Sequence, residues 1–395
     1  MPPTPITFSP QTRPSAAAHL TAEQVEQLGA ELDAIRAEVM DSLGEADARY
    51  IHKIIAIQRG LEMAGRGALL FSRFPPAFVA GTLALSVAKI LDNMEIGHNV
   101  LHGQWDWMRD PRIHSTTWEW DHTTPAEAWK KTHNYEHHTF TNVRGKDRDL
   151  GYSVMRITPE QDWRPVDLIQ PLTNVGLSLI FEWGITLYDL EFDRVQDGTK
   201  SKEELKKDLK VLWRKLRRQL AKDYLLFPAL SGPNFLRTAL ANLTANVIRN
   251  VWSHAVIFCG HFPDGTETFE EDRLEGETKG EWYVRQMLGS ANLTGSPVFH
   301  IMTGNLSHQI EHHLFPDMPS NRYAEIAPRI REICDRYGLT YTAGSLPKQY
   351  GKVVRTICRL AFPGGGTKKG AQVTALPAQT GPARSTDGTP VRLAG

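Results

Sequence analysis

"THNYEHH", residues 132–138, places three histidines within six positions, and "SHQIEHH", residues 307–313, repeats the pattern His-x-x-x-His-His. On an α-helix, residues four apart differ by about 40° around the axis and about 6 Å along it, so both side chains can reach one ion. Adjacent histidines point about 100° apart, so one shares the ion of its i−4 partner while the other turns to a second. The two boxes therefore read as helical, and facing each other they suit a pair of metal ions.

Two further segments extend the pattern. "GHNVLHG" (97–103) carries His98 and His102 at the same spacing. "NVWSHAVIFCGH" (250–261) carries Asn250, His254 and His261 on one helical face, a polar stripe on an otherwise apolar helix. Such a stripe is costly in a membrane without a partner, and metal coordination provides one. Imidazole suits zinc, copper, iron and nickel, so ligand type alone does not select the metal. Eight or more histidines exceed the four ligands of a structural zinc, and two redox-active ions doing oxygen chemistry use them better.

Around the boxes lie apolar stretches at 67–91, 171–190 and 224–260, the last interrupted by "SGPN". Each reaches the roughly 20 residues of a bilayer span, although Arg73, Glu182 and Arg249 interrupt them. The mean hydropathy of −0.36 is low for a transporter-like protein and fits a few spans beneath a larger cap. The expected fold is all-α: an integral membrane helical protein with a few transmembrane helices under a cytoplasmic helical cap that holds the histidine site. Residues 200–222 contain ten Lys/Arg against three acids, which by the positive-inside rule puts them in the cytoplasm. A full span at 171–190 conflicts with that, unless the segment enters and leaves on one face.

The chain divides into a disordered tail at 1–20, a domain at 21–361 and a second disordered tail at 362–395, rich in Gly, Pro and Thr. The domain opens with an amphipathic helix from Thr21, its N-cap, that continues towards residue 64. No basic start followed by an apolar core marks a secretory signal. Zero net charge gives no argument for nucleic acid, and three scattered cysteines exclude a disulfide framework or a C-x-x-C motif. His19, His52, His114, His122 and His300 read as ordinary surface, loop or packing residues. Trp105, Trp107, Trp118 and Trp120 read as interfacial anchors or packing, with lining of an acyl tunnel as the alternative. No haem-binding motif, cysteine quartet or nucleotide-binding glycine motif occurs, so any electrons come from another protein.

"GHNVLHGQWDW", "THNYEHHTFTN" and "NLSHQIEHHLFP" together resemble the three histidine boxes of the membrane fatty acid desaturases, and the resemblance runs from about residue 45 to 360. It implies a non-haem di-iron centre that uses O2 and two external electrons to desaturate an acyl chain, with no haem or flavin in this chain. The implied ligands are His98, His102, His133, His137, His138, His312 and His313. A further histidine comes from the helix before the third box, His261 as first choice and His254 as second, with Asn250 beside them. In the third box the family pattern fits Gln309, while the spacing of box two favours His308, which is preferred. Asp147 and Asp149 are candidates to orient imidazoles from outside.

Within the family the resemblance favours a stearoyl-CoA 9-desaturase of the NADPH-dependent mycobacterial type. The implied partners are acyl-CoA, O2, the lipid bilayer and a separate NADPH-dependent oxidoreductase or ferredoxin-type donor. The alternatives are a hydroxylase built on the same boxes, or a desaturase of other regiospecificity such as a linoleoyl-CoA 6-desaturase. A metal-storage protein and a soluble carboxylate-bridged oxidase are weaker. For the latter, "EIGH" (95–98) offers one E-x-x-H motif and the second is missing.

Overall fold

Thr21 ends the N-terminal segment with a reciprocal cap: its hydroxyl accepts from the Gln24 amide, and the Gln24 side chain accepts from the Thr21 amide. Helix α1 (Ala22–Asp41) follows. The computed structural model describes residues 15–365, and the tails expected at 1–14 and 366–395 lie outside the described residues. Ala17 and Leu20, assigned by sequence to the tail, are buried in the same core as α1, so the folded unit begins earlier than residue 21.

The expected continuous helix to residue 64 is instead two. A break at Ser42–Gly44 separates α1 from α2 (Glu45–Leu69). The Ser42 hydroxyl donates back to the Val39 carbonyl, and the Gly44 amide donates to the Asp47 carboxylate, which starts the new helix. Helix α1 buries Val25, Leu28, Leu32, Ile35 and Val39 against the C-terminal part of the chain. The close approach depends on glycine: a Cβ at Gly280 would sit 2.5 Å from the Val25 carbonyl oxygen.

Helix α3 begins at Pro75 and runs to Leu101, including a π-helical segment at Asp92–His98. The stretch 67–91 is therefore the end of α2, a turn, and the first part of α3. Among the described residues, α3 is the one helix both long and apolar enough to cross a bilayer. Helix α4 is three contiguous pieces, Ala126–Trp129, a π-helical Lys130–His137 and His138–Phe140.

The stretch 171–190 breaks at Ile180 into α5 (Gln170–Leu179) and α6 (Phe181–Asp189). At 1.5 Å per residue each is about half a bilayer core in length, so 171–190 is not one continuous helix of spanning length. The basic segment is helix α7 (Lys202–Ala221), capped by Ser201 and Glu204. The interruption expected at "SGPN" is present, and α8 (Phe235–His261) follows it.

Helix α9 (Lys279–Leu288), α10 (Gln309–Leu314), α11 (Tyr323–Arg336) and α12 (Leu346–Leu360) complete the main elements. A short parallel pair, β1 (Asn292–Thr294) with β2 (Ala343–Ser345), is the departure from an all-helical chain. Its Asn292 accepts from the Ile310 amide and donates to Glu311, so the pair fixes the start of α10 and the third box. One large core joins α1, α9, α10 and α11, and a second lies between α3, α8 and α12. The histidines sit between them.

Candidate metal centre

Helices α3, α4, α8 and α10 deliver the histidines to one buried volume. The donor atoms of His98, His102, His133 and His312 lie within 4.8 Å of one another, and so do those of His137, His261 and His313. The adjacent pair His312 and His313 divides between the groups, as the 100° offset requires, and His98 and His102 share one group. In the second box the outcome differs: His133 and His137, four apart, fall in different all-histidine groups, yet they share a third, since their donor atoms and that of Asp149 lie within 4.8 Å of one another. The box lies in the π-helical part of α4, whose wider turn stacks these rings 5.0 Å apart. His138 stands between the groups, its ring 4.6 Å from His102, 4.8 Å from His312 and stacked 4.4 Å over His313.

The surrounding polar groups fix the protonation pattern. Asn99 spends its amide hydrogens on the Glu95 and Gly304 carbonyls, so its oxygen faces His98 Nδ1 at 3.0 Å. Tyr323 donates to the Phe315 carbonyl, leaving its hydroxyl oxygen to accept from His312 Nδ1 at 3.2 Å. Gln286 donates to the His138 carbonyl and accepts from His313 Nδ1 at 3.1 Å. His137 Nδ1 donates to Asp147 at 3.0 Å, and His133 Nδ1 to Asp149 at 3.4 Å. Four of these imidazoles, His98, His133, His312 and His313, therefore carry their proton on the outward Nδ1 with the bare Nε2 lone pair pointing inward, whereas His137, held by Asp147, keeps a second proton on Nε2 below about pH 9.

Those lone pairs meet one another. His98 Nε2 lies 3.3 Å from His133 Nε2, and His313 Nε2 lies 3.2 Å from His261 Nε2. His102 Nε2, His312 Nε2 and both nitrogens of His138 are buried with no hydrogen-bond partner. Facing lone pairs repel, and buried unpaired nitrogens are costly, so the arrangement fits cations placed among them. Burial, reinforced by neighbouring imidazoles, holds His102, His138, His312 and His313 well below the ordinary histidine range, so they are neutral donors. His137 is the exception: burial alone lowers it, but Asp147 and Asp149 outweigh that and bring it up to about 9.

Three sequence alternatives separate in space. His261 joins His137 and His313, whereas His254 is packed on Phe258 at 3.9 Å between Phe181 and Tyr350, outside both groups. Seven residues of helix put them about 10 Å apart along the axis, too far to share an ion. Gln309, not His308, faces the centre, with its side-chain nitrogen 3.0 Å from His261 Nε2. His308 precedes the helical turn of α10 and stacks on His300 at 4.6 Å, so the i, i+4 relation to His312 does not hold. Asn250 donates to the Leu179 carbonyl, away from the imidazoles. Asn99, Gln286 and Tyr323 were not singled out from sequence. Asn99 stands inside the first box, but Gln286 and Tyr323 reach the site only through tertiary contacts and carry no local signal.

Beside the centre lies a small cavity lined in part by Met94, Phe181, Ile185, Ile257, Phe262 and Leu306 and in part by Asp149, Glu182 and Asp189, with His98, His133, His137 and His261 at its wall. A metal-binding cluster beside apolar side chains can act on a hydrocarbon group held against them.

Compared with known proteins, a family model for fatty acid desaturases matches residues 74–345. An NADPH-dependent stearoyl-CoA 9-desaturase of Mycobacterium tuberculosis is 53% identical over 350 residues, covering 88% of this chain and 82% of that protein. An sn-1 linoleoyl-lipid 6-desaturase of Synechocystis is 25% identical over 277 residues, covering 67% of this chain and 75% of that protein.

Proposed function

The chain belongs to the fatty acid desaturase family, an oxidoreductase, and from that premise we propose that it places a cis double bond at carbon 9 of stearoyl-CoA. The observation that carries the reading is the set of inward Nε2 lone pairs at the wall of a partly apolar cavity. His98, His102, His133 and His312 would hold one iron, and His137, His261 and His313 the other. His138, flanked by both groups, completes the set. When bound, the iron pair supplies the oxidising power for O2 chemistry at an unactivated C–H bond.

This chain's own residues do the rest. The outward Nδ1–H bonds to Asn99, Asp147, Asp149, Gln286 and Tyr323 hold each imidazole in one tautomer and orientation. Gln309 stands on the inner side, its amide nitrogen 3.0 Å from His261 Nε2, and so borders the metal position. The apolar side chains of the cavity align the acyl chain and keep bulk water away from it. In balance, the chain gives up two hydrogens; O2 takes two electrons from it, two from an external donor and two protons from solvent, and leaves as two waters. An NADPH-linked oxidoreductase or ferredoxin-type carrier supplies the external pair.

Residues 15–361 act as one desaturase domain set in a membrane by more than one segment. Exposed apolar side chains support this: Phe71, Phe74 and Leu83 before and along α3, Leu172 and Val175 on α5, and Leu236, Leu240 and Leu243 on α8. So large an unpartnered apolar surface belongs against lipid. The ten Lys/Arg of residues 200–222 support a cytoplasmic side for the centre in this reading.

Expression with an NADPH-linked reductase, supplied with stearoyl-CoA and O2, tests the proposal through mass spectrometry of the acyl products with double-bond localisation. A 9-monoene is expected. A hydroxylated chain would overturn desaturation, and a monoene elsewhere would overturn the regiochemistry alone.

A further inference from the structure

Helix α7 overhangs a cleft of about 400 Å³ whose wall includes Arg214, Lys215, Arg218 and Lys222 and whose floor includes Trp120 and His122. Lys215 is paired with Glu119 and Lys222 with Asp121. Arg214 and Arg218 are exposed and have no carboxylate partner among the described residues. With Lys207 and Lys210 they make a positive stripe about 17 Å long on α7, while Lys206 at its start pairs with Glu203.

From the floor of this cleft an unbroken line of aromatic rings leads inward. Trp120 stacks on His122 at 4.5 Å, Trp129 lies 5.1 Å beyond it, and Trp129 stacks on His133 at 4.4 Å. Trp129 also meets His98 and His102 edge-on, at 5.3 and 5.4 Å. Both indoles are buried and held in place. Trp120 Nε1 donates to the Thr124 carbonyl at 2.9 Å, which also accepts from Lys215. Gly97, on the helix of the first box, lets the Trp120 ring lie against that helix, since a Cβ there would come within 3.0 Å of it.

We propose that this cleft is the docking point of an acidic one-electron carrier protein, and that Trp120 and Trp129 conduct its electrons to the histidine cluster. The inference rests on the desaturase reading, which requires an outside reductant. Electron tunnelling through protein falls off exponentially with distance, and large polarisable rings in van der Waals contact keep each gap short. Each encounter oxidises the carrier by one electron and reduces the centre by one; no bond forms or breaks, and two encounters supply one turnover. The cleft shares Trp120 and His122 with the internal cavity, so the phosphates of acyl-CoA are the competing occupant. The length of the stripe favours a protein, because a few phosphates cover only part of it.

The probe is an acidic plant-type [2Fe–2S] ferredoxin, kept reduced by NADPH and its reductase and presented to the holoenzyme in nanodiscs. In the double variant Arg214→Glu/Arg218→Glu, both changes being at exposed positions, ferredoxin affinity measured by surface plasmon resonance is expected to fall about tenfold or more, and its salt dependence to flatten. The KM for stearoyl-CoA and the product of a dithionite-primed single turnover stay unchanged. Trp120→Leu is expected to leave ferredoxin affinity intact while slowing reduction of the centre by bound ferredoxin, with Trp120→Phe intermediate. Wild-type affinity in the double variant overturns the proposal, and so does a failure of ferredoxin to bind at all. A raised stearoyl-CoA KM with unchanged ferredoxin affinity gives the cleft to CoA instead. Absence of desaturated product in the dithionite-primed wild type counts against the desaturase reading, independently of the affinity data.

Discussion

Asp147 offers the sharpest test of how the centre is held. Its carboxylate is 4% exposed and accepts from three donors: His137 Nδ1 at 3.0 Å and the amides of Asn142 and Asp149 at 2.8 and 2.9 Å. Asp147→Asn keeps the shape but replaces one oxygen with an NH2 group, which turns a donor towards the backbone donor of either Asn142 or Asp149, and towards His137 Nδ1 in both cases. A hydrogen bond to a charged group contributes about 1.5–3 kcal/mol. Loss of an outer partner to a metal-binding histidine lowers metal affinity about 10–100-fold, or about 1.4–2.7 kcal/mol, and the two figures agree. Only the ion bound by His137, His261 and His313 depends on Asp147, so metal content is expected to drop from two towards one per chain at limiting iron. Metal analysis after dialysis against a graded chelator reads this directly. Two tightly held metals in the variant would refute the role assigned to Asp147.

The same residue sets a pH dependence. His137 has a folded pKa raised from 6.5 to about 9, so its proton stabilises the metal-free fold fully below about pH 6.5, and that contribution is lost as pH rises through about 9. The metal must displace this proton. Affinity at that site is therefore expected to climb about tenfold per pH unit between 7 and 9 in the wild type, and to climb less in Asp147→Asn. A flat profile in the wild type would contradict the argument.

Two further outcomes follow from burial. His254→Leu removes two buried nitrogens that have no partner, so metal content is expected to match wild type and thermal stability to hold or rise, whereas His261→Ala loses metal; loss of metal in His254→Leu would return it to the ligand set. Arg249, 1% exposed, pairs with Glu182 at 2.5 Å, and Arg249→Met strands that carboxylate. A stability loss of about 3–5 kcal/mol is expected in a denaturant titration in detergent, and a loss below about 1 kcal/mol would show that the pair is not as isolated from water as its burial implies.

The histidine boxes, the helical class and the split of His312 from His313 between two groups were legible in sequence, because each depends on the fixed 100° and 1.5 Å steps of a helix. The capping of α1 at Thr21 was legible for the same local reason. Where sequence reasoning departed from the structure, a non-local or non-ideal feature intervened. The π-turn in α4 gives His133 and His137 to different all-histidine groups while both face Asp149, and nothing in "KKTHNYEH" announces the wider turn. The break at Ile180 divides a stretch whose composition alone suggested one span. The spacing of box two favours His308, but the strand pair that anchors the start of α10 through Asn292 turns Gln309 inward instead. Gln286 and Tyr323, which fix the tautomers of His313 and His312, are separated from them by 27 and 11 residues. Sequence thus determined which residue types carry the chemistry, since metal affinity is a property of the side chain and its helical phase. Only tertiary structure decided which imidazoles meet, because that depends on where four helices cross, and crossing is set by the packing of side chains far apart in the chain.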